Sequence, residues 1–123
     1  MATMNKVIEY VDGVKPNAYT DEDKYNWLAR LEGMIRLEVF KDAEATPIAI
    51  PDAADDELSV PFPYDDVYSL YVMAMIDFHN REYNNYNNST MMFTERLEAF
   101  KRYYIQRNAA GKAKNFRNVM GWL

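Results

Sequence analysis

The sequence predicts an all-α protein, a small bundle of about four helices, from three observations. Apolar residues recur at helical spacing in several stretches, acids and hydroxyl residues stand where helix starts prefer them, and Pro47, Pro51, Pro61 and Pro63 are gathered into one segment between helical patterns. At 123 residues, 49% hydrophobic and 15% aromatic, the chain suits one compact domain over residues 1–123. With no cysteine, a disulfide scaffold, a thiol nucleophile and a thiolate zinc site are excluded. The opening Met1–Lys6 lacks the basic-then-apolar order of a signal peptide. The longest apolar stretch, Val67 to Ile76, covers only about half a bilayer span, so a reducing cytosol and no membrane partner are expected.

Thr3 can cap a first helix to about Val11, with Val7, Ile8 and Val11 on one side and Gly13 and Pro16 ending it. Thr20 before Asp21, Glu22 and Asp23 starts a second helix, expected to reach Lys41. A hydroxyl there accepts from an orphan N–H, and the carboxylates meet the positive end of the dipole. Trp27, Leu28, Leu31, Met34, Ile35 and Val39 form its core stripe. Ala29, Gly33, Leu37 and Phe40 share the opposite side, which either a second subunit or the following loop folding back would cover.

Residues 42–63 read as a Pro-rich extended loop or a small β-hairpin between helices two and three, serving either binding and assembly or as plain solvent loop. Pro63-Tyr64-Asp65-Asp66 opens a third helix to about Tyr83, apolar over so much of its circumference that it should be central. The Asn84–Ser89 tract reads as a break, and a fourth helix follows over about Thr90–Arg107, with Met92, Phe93, Leu97, Phe100, Tyr103 and Tyr104 inward. Helices three and four would form a long central antiparallel hairpin turning near Tyr86 and Asn87. That turn sets Asp77 opposite Arg96, an expected structural ion pair unless Arg96 snorkels to solvent. In the tail, 108–123, Phe116, Val119, Met120, Trp122 and Leu123 are expected to dock on their own domain or on a neighbour.

The net charge of −5 divides unevenly: residues 1–66 hold 15 acids and 6 bases, residues 67–123 hold 4 acids and 8 bases. Lys101, Arg102, Arg107, Lys112, Lys114 and Arg117 form a basic patch without an intervening acid. It would suit DNA, the acidic half of another copy, or simply a solvated helix end complementing the dipole. No phosphate-cradling, dinucleotide-binding or H-E-x-x-H motif occurs, and the acid groups match no calcium loop. No metal, no cofactor and no enzymatic activity are expected; His79 reads as a hydrogen-bonded, partly buried histidine. Two long apolar helices do not make a helix-turn-helix reader of DNA.

An ordered series of segments carries a resemblance: Met4-Asn5-Lys6-Val7-Ile8-Glu9-Tyr10-Val11-Asp12; Thr20–Lys24 leading into Trp27-Leu28 and Leu31–Ile35; Pro63–Tyr68; Met73–Phe78; Glu82-Tyr83; Tyr86–Ser89; and Ala113-Lys114-Asn115-Phe116. Together these resemble the tailed-phage head-tail connector, or head-completion adaptor, proteins of Gram-positive bacteria and their prophages. The resemblance implies a structural virion protein, made in the host bacterial cytoplasm, that assembles as a ring beneath the portal protein after DNA packaging. Such a ring extends the DNA channel, docks a tail or stopper protein and meets DNA only through non-specific electrostatics. A ring requires two complementary patches per chain. Candidates are the acidic half with the basic segment, and the Ala29/Gly33/Leu37/Phe40 face with the apolar tail; residues 42–63 are the candidate portal-, tail- or lumen-facing element. A nucleic-acid-binding accessory protein using Lys101–Arg117 and a small dimeric helical regulator are the competing readings.

Overall fold

The structure, a computed structural model, describes the backbone of residues 2–41 and 57–120 and the side chains of 2–41 and 57–107. It is a predominantly helical bundle of four helices: α1 (Met4–Val14), α2 (Asp21–Met34, continued by a π-helical turn Ile35–Val39), α3 (Val67–His79) and α4 (Tyr83–Met120). Among the described residues no helix is long and apolar enough to cross a membrane. Thr3 and Thr20 cap α1 and α2, accepting from the N–H of Lys6 at 3.2 Å and of Asp23 at 3.1 Å. Met4, Val7, Ile8 and Val11 are buried at i, i+3, i+4, i+7 spacing, so one stripe of α1 meets the core. Val67, Tyr68, Leu70, Val72, Ala74 and Ile76 are buried around most of α3, which packs against α1, α2 and α4. Of the described α4 residues only Phe100 is fully buried, with Phe93, Leu97 and Tyr104 partly covered; Met92 and Tyr103, expected inward, are exposed.

The expected β-hairpin between the second and third helices is not formed among the described residues. They contain no strand, only an isolated antiparallel bridge between Thr3 and Glu57, with the Leu58 N–H donating to Ala2 C=O at 2.8 Å. Leu58 and Val60 insert into the helical core instead, and Pro61 and Pro63 have no N–H with which to continue a ladder. Residues 42–56 of that predicted loop lie outside the described residues. The Phe62–Pro63 peptide is cis.

The α3–α4 turn is also displaced. The chain leaves α3 through a Schellman closure: Arg81 N–H donates to Phe78 C=O at 3.1 Å and Glu82 N–H to Asp77 C=O at 2.9 Å, with Arg81 at φ 61°. This turn at residues 80–82 replaces the one expected near Tyr86 and Asn87, and the Asn-rich tract becomes the start of α4. Asparagine is a poor helix former, but tertiary contacts hold the tract helical. Tyr86 packs on Phe78 with ring centroids 5.4 Å apart, and the Ser89 hydroxyl donates to Asp77 at 2.9 Å. Moving the turn five residues earlier re-registers the two helices, so Asp77 does not meet Arg96. Arg96 Nε instead lies 3.0 Å from Asp66 Oδ1, and Lys15 Nζ lies 2.6 Å from Asp77 Oδ1. The helix expected to end at Arg107 runs on to Met120.

Charged groups occupy core positions that the apolar pattern did not reveal. The buried stripe of α2 is Lys24, Leu28, Leu31, Glu32 and Ile35, whereas Met34, about 100° from its centre, is exposed. Glu32 is fully buried: its Oε1 accepts from the Tyr68 hydroxyl at 2.8 Å, and its Oε2 from the Ser59 N–H at 2.8 Å and hydroxyl at 3.0 Å, with Arg36 at 3.5 Å. Tyr68 in turn accepts from the Val60 N–H at 2.9 Å. Burial and the neighbouring Glu32 charge push the Tyr68 phenol far above its ordinary pKa, so it stays a hydrogen-bond donor.

Glu32→Ala would strip a carboxylate from four donor groups at once and is expected to cost about 3–5 kcal/mol in urea unfolding. Tyr68→Phe, which orphans the Val60 N–H, should cost about 1–3 kcal/mol. Arg81→Gly removes a Cβ from a left-handed residue and should stabilise by on the order of 0.5–1 kcal/mol in the same assay.

Candidate functional site

The π-helical turn decides what becomes of the Ala29/Gly33/Leu37/Phe40 face, expected to be covered by either a second subunit or the following loop. The Phe40 N–H donates to Ile35 C=O at 3.1 Å, an i to i+5 bond whose extra residue shifts later side chains round the axis by up to about one 100° step. Phe40 therefore leaves the line of Ala29, Gly33 and Leu37. It packs edge-on against Phe100 and Tyr104 of α4, with ring centroids 6.0 and 4.9 Å away. Ala29 is also partly covered by the core, so Leu37, 53% exposed, is the large apolar group that this face still offers. Phe116, Val119, Met120, Trp122 and Leu123 lie outside the described side chains.

The basic residues do not form one stripe. At 100° per residue, Arg102 stands 100° and Arg107 240° round α4 from Lys101, a collar rather than a face. Lys101 Nζ lies 3.5 Å from Glu98, and Arg107 donates to the Tyr103 hydroxyl at 3.0 Å. Lys112, Lys114 and Arg117 fall on the helical continuation without described side chains. His79, exposed rather than partly buried, has its Nδ1 3.0 Å from Met75 O and its ring against Trp27 and Tyr19. Among the described residues no group of three or more acids and histidines is placed to hold a metal ion.

Among the described residues a concave surface lies between α1 and the start of α3. Lys6, Val7 and Tyr10 form one wall; Phe62, Asp65 and Asp66 form the other, around a groove of about 500 Å³. Phe62 is 81% exposed although it stands between two prolines next to the core, and Tyr10 is 57% exposed. A large aromatic residue held out between Pro61 and Pro63 is the signal in the sequence that could have marked this site, which the loop reading absorbed. Behind Asp66 lies a second depression of about 240 Å³ with Leu70, Met92, Arg96 and Arg102 among its walls. The Asp66–Arg96 pair separates the two. Burial pushes the Asp66 carboxyl up, with Asp65 adding to the rise and Arg96 opposing it.

The groove's α1 wall is anchored from its far end. Lys24, only 2% exposed, places its Nζ 2.6 Å from Asp12 of α1 and 3.8 Å from Asp21. Burial tends to raise the Asp12 carboxyl, but hydrogen bonds from Lys24 and Asn17 and the Lys24 charge outweigh it, and its pKa falls below the ordinary 3.8. A carboxyl depressed by folding contributes stability that is fully present above 3.8 and is lost as pH falls through the lower folded value. Unfolding of the native chain and of Asp12→Asn across an acid series should therefore show a stability difference that narrows below pH 3.8, with the variant less acid-sensitive. No family model, no curated protein and no solved structure matches the chain.

Proposed function

We propose that the chain is a structural head-tail connector: a small helical adaptor that forms a ring on a phage portal protein, extends the DNA channel and presents a docking surface to a tail or stopper protein, at the head-tail interface of the virion. The observation that carries this reading is the length of α4. Its 38 residues span on the order of 57 Å, against about 20 Å for the 13 residues of α3. The last described α4 residue packed on the core is Tyr104, so the helix continues for about 24 Å beyond it. A compact body with a long basic helical extension and an acidic N-terminal half provides the two unlike, complementary patches that a head-to-tail ring requires. The ordered resemblance from Met4 to Phe116 supplies the connector role, and DNA in the channel would be met without sequence reading.

A nucleic-acid accessory role is favoured by one observation, the acid-free run of bases from Lys101 to Arg117. Native mass spectrometry over a concentration series, with and without portal protein, discriminates among the readings. A ring of on the order of a dozen copies seated on the portal is the expected result. A strict dimer indifferent to portal points to a regulator, and retention on DNA that falls steeply with salt points to the accessory role. Deleting residues 116–123 should abolish ring assembly while leaving the unfolding free energy in urea within about 0.5 kcal/mol of the intact chain, because the deletion starts twelve residues after Tyr104, the last described residue packed on the core.

A further inference from the structure

The groove between α1 and the start of α3 combines three properties. It is apolar at Val7, Tyr10 and Phe62, and the Tyr10 and Phe62 rings stand largely in solvent at its edges. Two aromatic rings kept out of the core beside a concave surface mark a contact site. Its walls carry unlike charges, Lys6 on α1 and Asp65 opposite, and among the described residues neither takes part in an ion pair, whereas the neighbouring Asp66 already has Arg96. Neither wall, finally, is the edge of a β-ladder. One is the helix α1, whose amides bond internally; the other is the run of turns from Pro61 to Asp66, in which Pro61 and Pro63 have no N–H. A segment bound here gains side-chain contacts rather than ladder bonds, which suits a helix, because a helix satisfies its own backbone.

The charges say what kind of helix fits. Residues 42–66 hold eight acids and no base, so the Asp65 side belongs to a stretch that draws bases from elsewhere, while Lys6 draws an acid to the opposite side. The described helices of a second copy do not offer that pattern. The apolar stripes of α1, α2 and α3 are spent on the core, and on α4 the exposed Met91 and Ile105 share a side but stand about 21 Å apart with Glu98 between them. The α1 wall runs from Ala2 to Tyr10, about 12 Å at a helical rise, enough to face about two turns of a docked helix. We infer that the groove between α1 and the start of α3 docks an amphipathic helix of a partner protein. Its apolar anchors, spaced i, i+3 or i+4 and i+7, lie between Tyr10 and Phe62, with a base on the flank beside Asp65 and an acid on the flank beside Lys6. The unlike flanks fix the direction in which the helix lies. This inference stands on the groove alone and does not depend on the connector reading.

The probe is a dye-labelled helical peptide of about three heptads, with leucine at the a and d positions, lysine along one flank and glutamate along the other, read by fluorescence polarisation against the full-length chain. Saturable binding of one peptide per chain is expected. Phe62→Glu and Tyr10→Ala should each weaken it at least about tenfold, the loss typical of an anchor residue. Both side chains are exposed, so the helical circular dichroism of these variants should match that of the native chain. Leu37→Glu, at an exposed apolar residue outside the groove, should leave binding unchanged. Peptides with lysine on both flanks or glutamate on both flanks should bind several-fold more weakly, and Lys6→Glu should reverse the preference in favour of the all-lysine peptide. Failure of the mixed-flank peptide to saturate, or binding that Phe62→Glu leaves unmoved, would overturn the inference. Equal binding by a proline-interrupted peptide of the same composition would overturn the helical form of the ligand. A self-associated species in light scattering of the chain alone that Phe62→Glu takes apart would assign the groove to a second copy and overturn the partner named here.

Discussion

The buried carboxylate of Glu32 is the constraint around which the bundle is arranged. A charge with no access to water is tolerable only where donors surround it, and here they come from separate parts of the chain: Arg36 one turn on, Ser59 of the returning segment and Tyr68 of α3. Because Tyr68 also accepts from Val60, the segment carrying Leu58 and Val60 is held at one depth and one register against α2 and α3. That placement sends Pro61, Phe62 and Pro63 outward next to the start of α3, so the groove beside α1 follows from a hydrogen-bond network on the other side of the core. The net stabilisation of such a network over a well-packed apolar alternative is small; its consequence is a single arrangement of the elements.

Two further buried charges act in the same way at other joints. Lys24 with Asp12 ties α2 to α1, and Asp77 with Lys15 and Ser89 ties α3 to α1 and α4. Asp77 shows how far one displaced turn propagates. With the reversal centred at residue 81, positions 66 and 96 are equidistant from it, as 77 and 96 would have been from a reversal between 86 and 87. Arg96 changes partner accordingly, and Asp77 takes a lysine from the end of α1. The same shift allows α4 to start earlier and, having only one long face covered, to continue past the bundle.

The packed body thus continues into a helix whose backbone runs on to Met120, and the acidic residues lie mostly in the N-terminal half while the bases gather toward the end of the chain. Polar clamps inside the body hold α1, α2 and α3 in register, leaving a shaped concave surface with acids along one side. Of the described bases of α4, Lys101, Arg102 and Arg107 stand on different sides of the helix.

Local rules were enough for the starts of α1 and α2, where Thr3 and Thr20 supply the cap within three residues of the N–H they accept from, and for the central place of α3, whose apolar circumference has no exposed alternative. Local rules also showed the acidic and basic halves and the apolar tail. They failed where distant groups decide. An Asn-rich tract is helical because Phe78 and Asp77 hold Tyr86 and Ser89; an arginine, not a glycine, takes the left-handed position that ends α3. Lys24 and Glu32 are buried because partners from α1, residue 59 and α3 reach them, and Phe40 turns inward because a π-helical turn moves it off its line. Propensity and periodicity act over a turn or two of chain, so the sequence by itself determined where α1 and α2 start and that α3 is apolar around most of its circumference. Register, turn position and the groove were decided by tertiary contacts between residues from eight to several tens of positions apart.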